Sequence, residues 1–262
     1  MRSFKCWKMT PSKPNLAAAM AIAALAVFAA GCGGSVDEAL VEEAGVHGDA
    51  LELVYALYNK DVLEKSSTRD LKDINKALEA NDLSQATKGD VRRAQTEIQS
   101  RIDELDDYRN ELTRANTKLK KTPMPDFAGG LDDDASNVQF TEDYEQTTET
   151  VERYTTAGLS AVKFGFSALE KYLDFLEQWE EFLDDNDTGG LVAAGEASDK
   201  ALESLKKKAA AVDRGGTLST KIDPLVSSMA EAASASPQLQ TLVEDLKEQY
   251  PKSFLAVHLV EK

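Results

Sequence analysis

Along most of this chain apolar residues return at alternating intervals of three and four, the spacing that draws one stripe down an α-helix. The most regular series is Val91, Ile98, Leu105, Leu112 and Leu119, seven apart without interruption, with Ala94, Tyr108 and Ala115 at the alternate positions. It predicts a long helix over 90–121 with a coiled-coil-like seam. The stretch "KKTPMPDFAGGLDDD" predicts where that helix stops: lysines suit its negative C-terminal end, and Pro123 and Pro125 bar its continuation. The connection 122–139 is long for a compact domain, and Phe127, Leu131 and Phe140 are the residues that would pin it to the body.

A second long helix is predicted from 141 to 183. Its inward stripe runs through Thr148, Val151, Thr155, Gly158, Val162, Gly165, Leu169, Tyr172, Leu176, Trp179 and Leu183. The half from Phe164 to Trp179 is rich in aromatics and reads as the part enclosed by several helices. The threonine-rich half reads as a thinner stalk.

The remaining elements are shorter. Residues 36–58 carry one apolar face, with Gly45 and Gly48 as a break in it, and a turn of helix follows around Leu71, Ile74 and Leu78. An alanine-rich helix spans 191–212 and ends at "RGG". Asp223-Pro224 and Ser236-Pro237 each pair a capping residue with proline at the first helical position, so two further helices should begin there. The tail "SFLAVHLV" has no readable period and is expected to pack as an irregular end piece. The pattern therefore predicts an all-α fold: an elongated helical bundle with two long coiled-coil-like antiparallel helices and several shorter helices.

The first 31 residues are organised differently. Arg2, Lys5, Lys8 and Lys13, with no acidic residue, precede the apolar run from Leu16 to Ala30. That is the layout of a secretory signal, and the run is shorter than the ~20 residues a spanning helix needs. It ends on Ala29-Ala30-Gly31-Cys32, which resembles the lipobox of bacterial lipoproteins. The resemblance implies that Cys32 receives a thioether-linked diacylglyceryl group, becomes the mature N-terminus after cleavage behind Gly31, and is often acylated on its amine as well. Two or more acyl chains hold a protein stably at a bilayer where one does so only marginally. The organisation expected is a signal peptide over 1–31, a lipidated N-terminus and short tether over 32–35, and a helical domain over 36–262. Cys6 would leave with the signal, so no intramolecular disulfide could form in an oxidising compartment.

Charge narrows the partners. The chain has 30 basic and 46 acidic residues, a formal net charge of -16. Four of the basic residues lie in the leader, so 26 basic residues face 46 acidic ones in the rest and its net charge is -20. Nucleic acid is excluded as a natural partner, because phosphate binding depends on basic side chains displacing counterions. An anionic lipid surface would also repel such a body, which leaves attachment to the lipid anchor.

One stretch carries candidate metal chemistry. "DNDTGGLVAAGE", residues 185–196, resembles the calcium loop of an EF-hand, with Asp185, Asp187 and Gly189 at positions one, three and five, Gly190 at the sixth and Glu196 at the twelfth. The resemblance implies a calcium-responsive helical module as an alternative function, with no other cofactor expected. Gly189 offers no side-chain oxygen, and no second loop pairs with this one.

Catalytic signals are sparse. His47 and His258 are the two histidines, His47 beside the glycine break and His258 in the apolar tail, and both read as incidental. There is no phosphate-cradling glycine loop and no nucleophile elbow. Carboxylate pairs such as Glu180-Glu181 leave an envelope hydrolase as a third reading, but on amphipathic helices such pairs form a solvated face. The function expected is that of a non-catalytic binding or scaffolding lipoprotein of the bacterial envelope, engaging a protein partner or a second copy of itself through its helices. Gly33, in place of the aspartate associated with inner-membrane retention, points to the outer membrane facing the periplasm in a two-membrane cell, and otherwise to the outer face of the cytoplasmic membrane.

Overall fold

The computed structural model of the chain describes residues 35–59, 87–185, 188–213 and 217–259, with side chains left undescribed over 208–213. All of them belong to one unit, Gly34–Lys262. The leader, Cys32 and the expected turn around Leu71, Ile74 and Leu78 lie outside the described residues. Those described form helices and short connections, and none of these helices is long and apolar enough to cross a membrane. The all-α bundle expected from the periodicity is what the chain forms.

Helix α1, Glu38–Asn59, is continuous through Gly45 and Gly48. The expected break is absent because both glycines are buried packing positions: a side chain at Gly45 would collide with the Tyr250 ring, and one at Gly48 would stand 2.8 Å from Ser253 Cβ. Helix α2, Lys88–Lys121, opens on a capping box in which Thr87 accepts from the Asp90 amide and Asp90 accepts from the Thr87 amide. It closes on Lys118, Lys120 and Lys121, with Thr122 as C-cap before Pro123. Its five heptad residues are all buried, as are Tyr108 and Ala115.

The 122–139 connection is shorter than expected. It holds a single helical turn, α3 (Phe127–Gly130), capped by Asp126, and the next helix starts at Ala135. Phe127, Leu131 and Phe140 do pin it: Phe127 meets the Phe140 and Tyr144 rings edge-on at centroid distances of 5.5 and 5.2 Å.

Helix α4, Ala135–Asp185, has 51 residues, ~77 Å at 1.5 Å per residue. It runs antiparallel to α2: Lys88 pairs with Asp184, Arg92 with Glu180, and Leu105 lies against Gly165. It runs parallel to α1, since His47 meets Tyr144 and Tyr58 meets Tyr154. The two halves of α4 are enclosed in the opposite sense to the one expected. The threonine-rich half, which α1 and α3 meet through His47, Tyr58 and Phe127, buries Phe140, Tyr144, Thr147, Thr148, Thr150 and Thr155. In the aromatic half Phe164, Phe166, Phe175 and Trp179 are only partly buried. Two of these threonines tolerate enclosure because they satisfy themselves within the helix: Thr147 Oγ1 donates to the Asp143 carbonyl at 2.7 Å and Thr148 Oγ1 to the Tyr144 carbonyl at 3.1 Å. The buried Thr155 hydroxyl, by contrast, has no hydrogen-bond partner among the described residues.

Helix α5, Thr188–Asp213, folds back along the aromatic half, where Gly190 sits on Gln178 and Gly195 on the Phe175 ring. Helix α6, Leu218–Ala235, begins earlier than the Asp223-Pro224 signal suggested. Thr217 is its cap, and Leu218 and Ile222 are buried ahead of the proline. Pro224 is therefore an interior, solvent-facing residue that forfeits one ladder hydrogen bond rather than opening the helix. Helix α7, Pro237–Gln249, starts where expected, with Ser236 as cap and Leu239, Leu242, Val243 and Leu246 buried. The tail forms an ordered turn, α8 (Phe254–His258), capped by Ser253, in which Phe254, Leu255 and Ala256 are buried.

Candidate functional site

The C-terminal helices build the concave surface on which a function can rest. Ser236 alone separates α6 from α7 and serves both: its amide donates to the Ala232 carbonyl at 3.1 Å, and its hydroxyl accepts from the Leu239 amide at 3.4 Å. Gln240 Nε2 ties the corner by donating to the Ser234 carbonyl at 2.9 Å. The two arms leave an open wedge of about 640 Å³. Val226, Ala230, Val243 and Leu259 give it an apolar floor, and Glu231, Glu244, Lys247 and His258 stand at its rim. Ser227, Ala230 and Ser234 recur along the α6 wall as small side chains at helical spacing, which admits a close-lying backbone.

His258 joins this wall to α1. Its Nε2 lies 2.8 Å from Glu52 Oε2, and its ring is held by Phe254 (centroids 4.4 Å apart) and Tyr55 (5.1 Å, edge-on). Tyr55 is itself desolvated, which raises its hydroxyl pKa first of all, and its hydrogen bond to Ser219 brings α1 to the start of α6. The close approach of Tyr250 and Ser253 to Gly45 and Gly48 fixes the same wall from behind.

His47 sits in the enclosed half of the bundle. Its Nδ1 is 2.9 Å from the Tyr144 hydroxyl, it is 2% exposed, and burial pushes its pKa down to about 4. It is therefore a neutral imidazole near pH 7, paired with a hydroxyl whose own pKa burial raises. Neither histidine is incidental: each ties helices together, one in the core and one at the wedge.

The described part of the calcium-loop candidate is helical. Asp185 is the last residue of α4, and from Thr188 onward the segment is helical, so Gly189 and Glu196 lie on α5. A helix spreads successive side chains around its axis, whereas a calcium loop must wrap its oxygens about one point. Glu196 is exposed and 3.9 Å from Lys200, one helical turn on. Asp187 lies outside the described residues. Gly190 has a different explanation from the tight turn of a calcium loop, because any side chain there would run into the Gln178 amide of α4. Among the described residues no three His, Cys, Asp or Glu side chains are arranged to hold a metal ion.

Glu180, one of the paired carboxylates, is held by Arg92 Nε at 2.8 Å and by Gln95 Nε2 at 3.3 Å. The Arg92 hydrogen bond lowers its pKa, the opposite of what a general acid needs. Of the wedge residues, the sequence singled out His258 alone, as an incidental histidine. The signal that marks them is a second stripe on α7, Gln240, Val243, Glu244 and Lys247, running beside the core stripe at the same spacing.

No protein-family model, curated protein or solved structure matches this chain.

Proposed function

We propose that the protein is a lipid-anchored element of the bacterial envelope whose helical body works without catalysis, as a binding or scaffolding surface for another polypeptide. The observation that carries the reading is the wedge. A concavity open along its length, walled by two helices, apolar at the floor and ionic at the rim, suits a helix or extended segment laid into it better than an enclosed small molecule. The acidity of the chain supports a protein partner over a phosphate-bearing one. Attachment through acyl chains on Cys32 is supported by the resemblance of Ala29-Ala30-Gly31-Cys32 to a lipobox. Gly33 after it, in place of the aspartate associated with inner-membrane retention, supports a location at the outer membrane facing the periplasm in a two-membrane cell, and otherwise at the outer face of the cytoplasmic membrane.

Each half of the proposal has its own test. Mass spectrometry of the native protein should find Cys32 as an acylated first residue, and Cys32→Ser should move the protein from the membrane to the soluble fraction. A bare thiol, or a variant that stays with the membrane, overturns the anchor. A photo-crosslinking residue at Ser234, in the wedge, should yield polypeptide adducts in intact cells, and one at exposed Val192 on α5 should not. Equal labelling at both positions, or none at Ser234, overturns the binding surface.

A further inference from the structure

The reading of the wedge as a polypeptide-binding surface can be taken one step further, to the chemistry of what it holds. We infer that the occupant is a basic amphipathic helix of another protein, apolar along one stripe and bearing lysine or arginine beside it; this rests on the binding reading above and names the class of partner. The floor sets the first requirement. Val226, Ala230, Val243 and Leu259 are apolar, and the small side chains of Ser227, Ala230 and Ser234 let a backbone lie close to α6. A groove of this kind takes the apolar face of a helix, whose anchors recur at every third or fourth residue.

The walls set the sign of the charge. Glu231 on α6 and Glu244 on α7 stand on opposite arms of the wedge, and both are exposed. Among the described residues neither takes part in an ion pair. A helix laid along the floor is therefore flanked by an unanswered carboxylate from each arm. Lys247 does not reverse that balance: it is half-buried, and α6 and α7 together carry five carboxylates against two lysines. His258 already has a carboxylate of its own, with Nε2 at 2.8 Å from Glu52 Oε2. Around the wedge the chain as a whole bears a formal charge of -16, a field that draws cationic segments in and holds anionic ones off. An acidic helix would suit the floor and be repelled by the walls. A basic segment without an apolar stripe would be attracted and then find nothing to cover. A basic amphipathic helix satisfies both.

The test uses the Cys32→Ser form of the full chain in detergent-free buffer, because an amphipathic peptide partitions into micelles. Three labelled synthetic peptides of equal length are titrated by fluorescence anisotropy: a leucine–lysine amphipathic helix, its leucine–glutamate counterpart, and a serine–lysine peptide that lacks the apolar stripe. The leucine–lysine helix should bind at least about tenfold more tightly than either of the others. Glu231→Gln combined with Glu244→Gln should weaken that binding by about tenfold, because the cations lose both walls. Glu104→Gln combined with Asp107→Gln removes the same charge from the exposed face of α2 and should change binding by no more than about twofold. Equal losses in the two double variants would mean that the peptide reads net charge alone, and would overturn the inference. Failure of the leucine–lysine helix to bind, or equally tight binding of either other peptide, would overturn it as well. Ser234 adducts in cells to a segment that is acidic or has no apolar stripe would overturn the basic helix while leaving the binding surface standing. Absence of Ser234 adducts removes both.

Discussion

At the scale of single residues, the least expected is His47. An imidazole that is 2% exposed and held at a pKa of about 4, against 6.5 when solvated, makes folding compete with protonation. Between those two values the unfolded chain binds the proton and the folded chain does not, so stability falls as pH falls. The contribution is fully present above pH 6.5, drains away as pH drops toward 4, and amounts to about 3 kcal/mol over that window. His47→Gln keeps a polar partner for the Tyr144 hydroxyl but does not titrate. Urea unfolding at pH 7 and at pH 4.5 should therefore show a markedly smaller acid loss in the variant than in the wild type. Equal losses in the two proteins would mean that the imidazole is not desolvated in the native state.

At the scale of elements, the two glycines of α1 show where sequence reading stops. A glycine in a helical pattern weakens the helix by about 1 kcal/mol relative to alanine, which is why Gly45 and Gly48 read as a break. What the spacing cannot show is that residues some two hundred positions later, Tyr250 and Ser253, come to rest on them. The outcome of substitution follows from the space available. In Gly48→Ala the new methyl stands 2.8 Å from Ser253 Cβ and 3.3 Å from the Phe254 amide nitrogen, neither of them the loose end of a side chain. Overpacking of about 1–3 kcal/mol then outweighs the gain in helix propensity. In Gly89→Ala, on the exposed first turn of α2, the nearest atom is Thr87 Oγ1 at 3.7 Å, and only the gain remains. Thermal melts should move down for the first and up for the second, and amide exchange in α8 should quicken only in the first.

The same limit explains the rest of the fold. The α2 heptad and the α7 stripe were legible because a face fixed by period alone decides what they bury, and Val91 through Leu119 all go inside. The enclosure of α4 was not legible, because it depends on how many other helices arrive. Thr147, Thr148 and Thr155 look like a solvated stalk until the neighbouring helices bury them. The 185–196 stretch shows a different limit. Its acidic and glycine residues match a loop by type and spacing, yet the geometry that makes a ligand set belongs to the backbone, and the backbone from Thr188 on is helical. Of the wedge, only its Ser236-Pro237 corner was readable, since a groove belongs to two helices at once.

At the scale of the whole molecule, a formal charge of -16 sets the background for every local contact. The cross-helix ion pairs that join α2 to α4, Lys88–Asp184 and Arg92–Glu180, are solvent-exposed on at least one side, and such pairs contribute little each. Excess carboxylates repel one another throughout, and that repulsion is longer in range than any single pair. Salt screens both effects, with a Debye length of ~10 Å at 0.1 M. Because the unpaired negative charge far exceeds the paired charge, screening should relieve more repulsion than it costs in attraction. The melting temperature at pH 7 should therefore rise as sodium chloride is increased from low millimolar to physiological concentration, and it should rise equally in His47→Gln, whose site is neutral at that pH. A melting temperature that falls with salt would show that the α2–α4 ion pairs, rather than the excess of carboxylates, govern how charge acts on this bundle.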